Sequence, residues 1–485
     1  MSQTYDVAII GGGYAGLTCG ITLAKEGYKV VVVEKNRTAG GAFQPFKRKG
    51  VQLDTGFHYV GGVGKGEIMN PLMRQFGIED LPWVRMDSDW LHVFTLEKEY
   101  ILCSGYERFT KVLGSSFPKD LRHLSEMARH VQTINAGLYK TVSIENNSLG
   151  NELMGIPAKK YFEERLDSPE LRNLLCAHTL TTDLTDELPL YSFLQSLNSF
   201  IQGSYRLQGG GQVLIDRLVE NLRSLGGELV TGRKIVKMED DGEGNIAKIT
   251  DDNGEEYKAE KYISTMHPRL TVDLFPDCPQ VRNIYRRRFR NMPNSRGIFT
   301  VQLIMKPQSV KYVNHSISIM NSQDPWNPDL SRFDNMLINY NVPADGGEYV
   351  RNIDLLAHLD YEDLRQWEES SVGHRPAEYY AYKERRAQEA IALAKKYVPE
   401  LEGNIEEYYT STPLTYQCYT GTPEGSAYGV RKSANNLLGS VLSPLTPFGN
   451  MFLAGQSLIL HGMLGVGMTT MLTCNIMTGK DLLKI

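Results

Sequence analysis

The stretch YDVAIIGGGYAGLTCGITLAKEGYKVVVVE, Tyr5 to Glu34, decides how the rest of this 485-residue chain is read. Tyr5 to Ile10 is a short apolar run that predicts a buried strand. Gly11, Gly13 and Gly16 follow at GxGxxG spacing, a helical stretch runs to about Glu26, and Gly27 is placed to cap it. A second apolar run, Val30 to Val33, closes on the acid Glu34. Each part has a task in holding an adenine dinucleotide. Gly11 permits the tight turn, Gly13 lets backbone approach a pyrophosphate, and Gly16 lets the helix pack closely on the strand. The helix N-terminus offers unpaired N–H groups to phosphates, and Glu34 can accept hydrogen bonds from ribose hydroxyls.

Outward from that stretch, the length predicts two or three lobes. A hydrophobic content of 41% and a charged content of 22% fit an ordinary globular protein with a sizeable core. The net charge of −5 implies no strongly basic face, so nucleic acid is not an expected partner. Cys19, Cys103, Cys176, Cys278, Cys418 and Cys474 are scattered without a CxxC pair, which reads as reduced thiols in a cytoplasmic setting. The histidines show no HxxxH or HExxH spacing, and no metal is expected. The first strand begins within about five residues of Met1, leaving no room for a signal peptide. Residues 433–479 contain no Asp, Glu, Lys or Arg. Gly455, Gln456, Ser457, His461, Gly462, Gly465 and Gly467 interrupt the apolar run there, so the segment reads as strand, turn and buried helix, with no transmembrane span.

Further along, a glycine turn at Gln208–Gly211 opens a helix over 212–225, stopped by Gly226-Gly227. Short strands are expected at 228–230, 235–237, 246–250 and 257–260, with Asp252-Asn253-Gly254 as a hairpin turn and 262–265 as another buried strand. Residues 117–140 and 376–397 read as helices, 188–200 as an aromatic, apolar stretch, 296–306 and 315–320 as strands, and 410–431 as turn-rich. The dinucleotide features therefore fall in separated parts of the chain. The expected organisation is a dinucleotide-binding domain assembled from 1–75, 205–270 and 432–485, and a substrate-binding domain from 76–204 and 271–431.

These pieces together resemble the carotenoid desaturase, carotenoid isomerase and retinol saturase family of FAD-dependent oxidoreductases. The resemblance covers nearly the whole chain. It is carried by DVAIIGGGYAGL, VVVVEKNRTAGGAF and LDTGFHYVGG at the start, GGGQVLIDRLVENLRSLGGEL in the middle, and STPLTYQCYTGTPEGSAYG and MFLAGQSLILHGMLGVG near the end. The D-T-G-x-H-Y element at Asp54–Tyr59, TPLT at 412–415 and G-x-x-x-G-x-x-Y-G at 421–429 are most similar to the retinol saturase branch. The saturase pattern carries Cys where His461 stands and an acid where Ser457 stands, and the desaturase element T-H-P-G-G is absent. The resemblance implies an α/β fold of the phytoene desaturase type: a Rossmann-type FAD-binding domain with a discontinuous, mixed α+β substrate domain.

It also implies FAD as the cofactor and assigns residues to it. Gly11, Gly13, Ala15 and Gly16 surround the pyrophosphate, Glu34 takes the adenosine ribose, and Lys35 lies along the adenine or in solvent. Gly40, Gly41 and Ala42 run beside the pyrophosphate and ribityl chain. Val236 lies near the adenine or serves as a core valine. Gly455 and Gln456 end the late strand, and Gly465 and Val466 begin the last helix, whose N-terminus meets the flavin pyrimidine edge. The implied chemistry is hydride exchange with a carbon of an apolar polyene or isoprenoid, by saturation, desaturation or cis–trans isomerisation. His58, Tyr59 and His461 are the candidates for handling the proton, with Tyr416 and Tyr428 behind them. Tyr191, Phe193 and Phe200 line a substrate tunnel or belong to the core. The basic cluster Tyr285–Arg290 meets a membrane surface peripherally, forms a solvated helix face, or binds NAD(P)H as external reductant. A flavin amine oxidase and a non-catalytic FAD-containing lipid carrier are the alternatives from other classes.

Overall fold

The computed structural model describes residues 4–141 and 152–483. The strand Thr4–Ile10 lies at the centre of a parallel sheet because its apolar side chains are covered on both faces, as parallel strands require. Across this sheet the parallel order is Glu228–Thr231, Val30–Glu34, Thr4–Ile10, Glu256–Ser264 and Met451–Leu453. The sheet thus gathers strands from three distant parts of the sequence. Ile235–Asp240 and Ile246–Asp251 extend it as an antiparallel meander. The expected strands at 257–260 and 262–265 are one strand: Glu256 and Tyr257 pair with the meander, Lys258 to Ser264 with Thr4–Ile10, and Tyr262 to Ser264 also with Met451–Leu453.

Three helices pack beside this sheet: Tyr14–Lys25, Gly210–Ser224 and Gly462–Thr478. The first and last run side by side, joined by the Thr18 and Thr470 hydroxyls at 3.0 Å. Thr469 donates to the Gly455 carbonyl and Thr473 to the Leu453 carbonyl, so the last helix runs back along its own strand with its N-terminus at the strand's carboxyl end. This helix starts at Gly462, three residues before the expected Gly465. Gly465 sits in its first turn, where a Cβ would lie 2.4 Å from the Leu460 carbonyl carbon. The short helices Pro268–Asp273 and Asn283–Arg290 place Val272, Phe275 and Phe289 in the same core as Tyr5, Ala8 and Val31, beyond the boundary expected at residue 270.

A second, seven-stranded sheet is ordered Ile405–Ser411, Gly297–Met305, Asn352–Leu359, Asn335–Tyr340, Ser316–Met320, Leu91–Thr95 and Glu99–Leu102. Its pleat sends Val301, Leu303, Ile338, Ile353 and Leu355 into a core with Ala387, Ala390 and Ile391 of the helix Ala377–Tyr397. Leu337 and Leu356, on the opposite face, join the core shared with the dinucleotide sheet. The turn-rich reading of 410–431 missed a helix, Pro413–Thr420. A reciprocal capping box between Thr412 and Thr415 opens it and the left-handed Gly421 closes it. Among the described residues no helix is long and apolar enough to cross a membrane.

The tightest constraint in the dinucleotide sheet is at Gly16, where a Cβ would lie 1.8 Å from the carbonyl oxygen of Gly11. Gly16→Ala is therefore expected to push the helix off the strand at a cost of about 1–3 kcal/mol. Thermal unfolding should show the lower midpoint, and the purified protein should hold less flavin.

Candidate functional site

The site forms at the carboxyl ends of the parallel strands, where an open α/β sheet leaves a crevice. Gly11 turns the chain there with φ +103°, and its N–H donates to the Val33 carbonyl at 2.8 Å. A Cβ at Gly11 would meet Thr265 Oγ1 at 2.4 Å, so Thr265 also belongs to this turn. No side chain caps the N-terminus of the helix Tyr14–Lys25, which leaves its first N–H groups and their partial positive charge for an anion. Gly13 pairs with Gly40 as an isolated parallel bridge, and Gly40 N–H donates to the Gly12 carbonyl at 2.9 Å. This pairing lays the second glycine turn, with Gly41 and Ala42, directly against the first. A Cβ at Gly455 would lie 3.5 Å from the Thr265 carbonyl oxygen and 3.8 Å from the Ala15 Cβ, so the late strand ends on the same crevice. Gln456 follows, partly exposed, and Val466 is buried in the first turns of the last helix, whose N-terminus is likewise without a side-chain cap.

Glu34 is 5% exposed, and its two oxygens accept from Gly12 N–H at 2.7 Å and Asn36 N–H at 2.8 Å. A carboxylate has lone pairs beyond those two bonds, so the acid is both fixed and able to take hydroxyls. Lys35 turns to the C-terminal end of the helix Pro413–Thr420, where its Nζ donates to the Cys418 carbonyl at 2.8 Å. Burial lowers its pKa. Val236 stands in the meander and is 45% exposed, so it is not a core valine. The uncapped helix ends, the glycine cradle and the anchored Glu34 all fit a dinucleotide.

The D-T-G-x-H-Y element runs beside this cradle. Thr55 Oγ1 donates to the Ala42 carbonyl at 2.7 Å, and a Cβ at Gly56 would lie 2.7 Å from the same oxygen. Asp54 accepts from Gly211 N–H at 3.0 Å, at the start of the helix Gly210–Ser224. Burial pushes its carboxyl up to about 7 against the pull of that N–H, and the charge of Asp354 adds to the rise. His58 Nδ1 lies 3.1 Å from Asp354 Oδ2 on the second sheet. Asp354 is 0% exposed and also accepts from Asn341 at 2.8 Å. Tyr59 is half-buried against Phe200 and Trp90, with ring centroids at 5.2 and 6.2 Å, and desolvation of its hydroxyl raises its pKa. Tyr416 bonds Thr300 at 2.7 Å and the Thr55 carbonyl at 3.2 Å, and burial pushes it up to about 12.

His461 is the N-cap residue of the last helix, and its ring lies 4.3 Å from the ring of Tyr428. Tyr428 donates to the Leu180 carbonyl. The structure thus brings His58 and Tyr59 together beside the second glycine turn, and sets His461 at the other wall, on the late strand's side. Phe193 and Tyr191 are buried core residues, Phe193 packing on Trp326 and Phe162. In the basic cluster, Arg286 is buried and donates to the carbonyls of Val272, Phe275 and Pro276, while Arg290 pairs with Asp273. A solvated face was one expectation for this cluster, but Arg286 serves as an internal brace.

Sequence reasoning missed Thr265, Gln302, Asn341 and Asp354. The available signal was an acid inside the run Ile353–Ala357 of the strand Asn352–Leu359, whose other members are apolar, a position where burial requires a partner.

The profile of the family described as flavin containing amine oxidoreductase matches residues 14–466. All-trans-retinol 13,14-reductase of Macaca fascicularis is 23% identical, over 96% of this chain and 84% of its own length. Prolycopene isomerase 2, chloroplastic, of an Oncidium hybrid cultivar is 23% identical, over 96% of this chain and 83% of its own. Among solved structures, a redesigned putrescine oxidase superposes with a TM-score of 0.67 at 16% identity, over 99% of this chain and 100% of that one.

The Asp54 carboxyl, raised in the folded state, gives a stability signature. Stability from its buried neutral form is fully present below about pH 4, the range of an unfolded aspartate, and is lost as pH rises toward 7. Asp54→Asn keeps an oxygen for Gly211 N–H, so the variant is expected to lack this fall. Melting temperatures of both proteins across that range check it.

Proposed function

Because the chain belongs to the flavin containing amine oxidoreductase family and is an FAD-dependent oxidoreductase, we propose that its substrate is an apolar polyene or isoprenoid whose carbon–carbon double bond is reduced. The observation that carries this reading is the pairing at adjacent positions of a proton-carrying imidazole and an aromatic wall. His58 is held by a buried carboxylate, and Tyr59 leads into Trp90 and Phe200. An apolar chain packs on such a wall through its own hydrophobic surface, while the one reacting carbon that needs a proton can meet the imidazole. The named similarity to all-trans-retinol 13,14-reductase over most of both chains supports the same substrate class.

When bound, FAD would supply the hydride chemistry that such a reduction requires. The two glycine turns and the uncapped helix at Tyr14 hold its pyrophosphate, and Glu34 its ribose. The uncapped start of the last helix favours negative charge beside it. His58 delivers the proton to the second carbon, and the buried Asp354 stabilises the imidazolium before transfer. Tyr416 fixes the Thr55 carbonyl and so the loop that carries His58. Of the basic cluster, the exposed Arg287 and Arg288, with Ile284 and Leu438 at 68% and 87% exposure, are the side chains left to rest on a membrane from which such a substrate is drawn.

A second reading, redox-neutral cis–trans isomerisation, is supported by the similarity to prolycopene isomerase. Amine oxidation is less well supported. The similarity to a retinol reductase and a prolycopene isomerase extends over 96% of this chain, and that to a probable flavin-containing monoamine oxidase A of Dictyostelium discoideum over 63%.

Reduced protein mixed anaerobically with a retinoid or carotenoid polyene should lose one double bond per flavin oxidised. Isomerised product with flavin left reduced would select the second reading, and peroxide release with amines alone would remove both. His58→Gln, which keeps a hydrogen bond to Asp354 but no titrating proton, is expected to slow saturation by about 10²–10⁴-fold.

A further inference from the structure

Gln302, Asp354, Asn339 and Ser316 are all 0% exposed, and they stand in one rank across the second sheet on the face toward His58. Gln302 faces Asp354, and Asp354 faces Asn339, in adjacent antiparallel registers. At the far end of the rank is Arg206, 1% exposed on the strand Ser204–Leu207. Its guanidinium donates to the Tyr312 and Ser316 hydroxyls at 3.1 Å, to the Val313 and His315 carbonyls at 3.0 Å, and to Asn339 Oδ1 at 3.3 Å. All of these partners are neutral. A buried cation is costly unless hydrogen bonds or an opposite charge compensate it, and here five hydrogen bonds do so.

The chemistry of the two ends fixes the direction of everything between them. A guanidinium only donates, and an ionised carboxylate only accepts. Asn339 therefore turns its oxygen to Arg206 and its amide nitrogen to Asn341 Oδ1, at 3.4 Å. Asn341 in turn points its own amide nitrogen at Asp354 Oδ2, at 2.8 Å. Ser316 also donates to Asn339 Oδ1, at 3.2 Å, and reinforces the same sense. Aligned dipoles of this kind polarise one another in a low dielectric. Asp354 Oδ2 ends the chain on His58 Nδ1, at 3.1 Å. Its Oδ1 is buried without a hydrogen-bond partner among the described residues, so the strap and His58 are what hold the charge.

We propose that Arg206, Asn339 and Asn341 form a hydrogen-bonded strap that holds Asp354 aimed at His58, and that Asp354 is the positioning residue for that imidazole. The inference rests on the reading of His58 as the proton-handling group. Its chemical content is a fixed tautomer. The carboxylate claims Nδ1–H, so Nε2 is the nitrogen that exchanges a proton with substrate. The groups facing His58 are Asp354 from the second sheet, Asp54 from its own loop, Tyr416 through the Thr55 carbonyl, and Arg206 through the strap.

The test is nitrogen NMR of the flavin-loaded protein carrying isotope-labelled histidine, with the His58 signal assigned by its absence from His58→Gln. In the wild type the neutral ring should carry its proton on Nδ1. Asp354→Asn should remove the preference of the neutral His58 ring for a proton on Nδ1, so that both ring nitrogens share it. Asn341→Ala, which cuts the strap but leaves Arg206 its carbonyl partners, should weaken that preference by less. Should Asp354→Asn fail to fold, Asn341→Ala carries the test. An unchanged tautomer in the folded variants would overturn the strap. If the tautomer shifts occur but His58→Gln saturates polyene at the wild-type rate, the strap stands and the role given to His58 falls. If His58→Gln is slow and the tautomer shifts are absent, that role stands and the strap falls.

Discussion

The approach of the first helix to the first strand is the constraint on which the molecule depends. It is close enough that Gly16 has no room for a side chain beside the Gly11 carbonyl. This contact sets the uncapped N-terminus of Tyr14–Lys25 over the end of the sheet and determines where an anion can sit. The second glycine turn is then laid against the first through Gly13 and Gly40, and the last strand arrives at Gly455 beside Thr265. A methyl group at Gly16 would disturb all of these at once, since each is positioned relative to the same turn.

The second sheet solves a different problem. One face is an ordinary apolar core against the helix Ala377–Tyr397. The other carries the buried Gln302, Asp354, Asn339 and Ser316, and a path of hydrogen bonds runs from the Arg206 guanidinium through Asn339 and the half-buried Asn341 to the Asp354 carboxylate. Apolar residues at these positions would pack without the desolvation cost of buried charge. The polar rank makes sense as a means of delivering a negative charge to His58 while water is kept away. The aromatic cluster of Tyr59, Trp90 and Phe200 begins at the next residue, so polar and apolar functions meet over a single peptide bond.

Much of the dinucleotide half was legible from local pattern. The strand, glycine turn, helix and acid at Tyr5–Glu34 announce themselves by spacing, because each position is fixed by backbone sterics or by hydrogen bonding to a known group. The hairpin at Asp252–Gly254 and the helix over 377–397 were read for the same reason. The helix Pro413–Thr420 was not, since its capping box uses threonines and lacks the usual acid. The basic cluster misled because a run of arginines looks solvated, whereas Arg286 turns inward to brace three carbonyls.

The sequence by itself determined a dinucleotide cradle and the family to which the chain belongs, since both are written in short contiguous motifs whose geometry is local. Only the tertiary structure decided which histidine faces a buried acid. His58 and Asp354 are separated by nearly three hundred positions along the chain. They meet because the pleat of one sheet and the turn of a loop from the other half point them at the same spot. The strap behind Asp354 was equally hidden. Its members are ordinary asparagines and an arginine until strand register puts them in line, and register is a property of paired strands that no single segment contains.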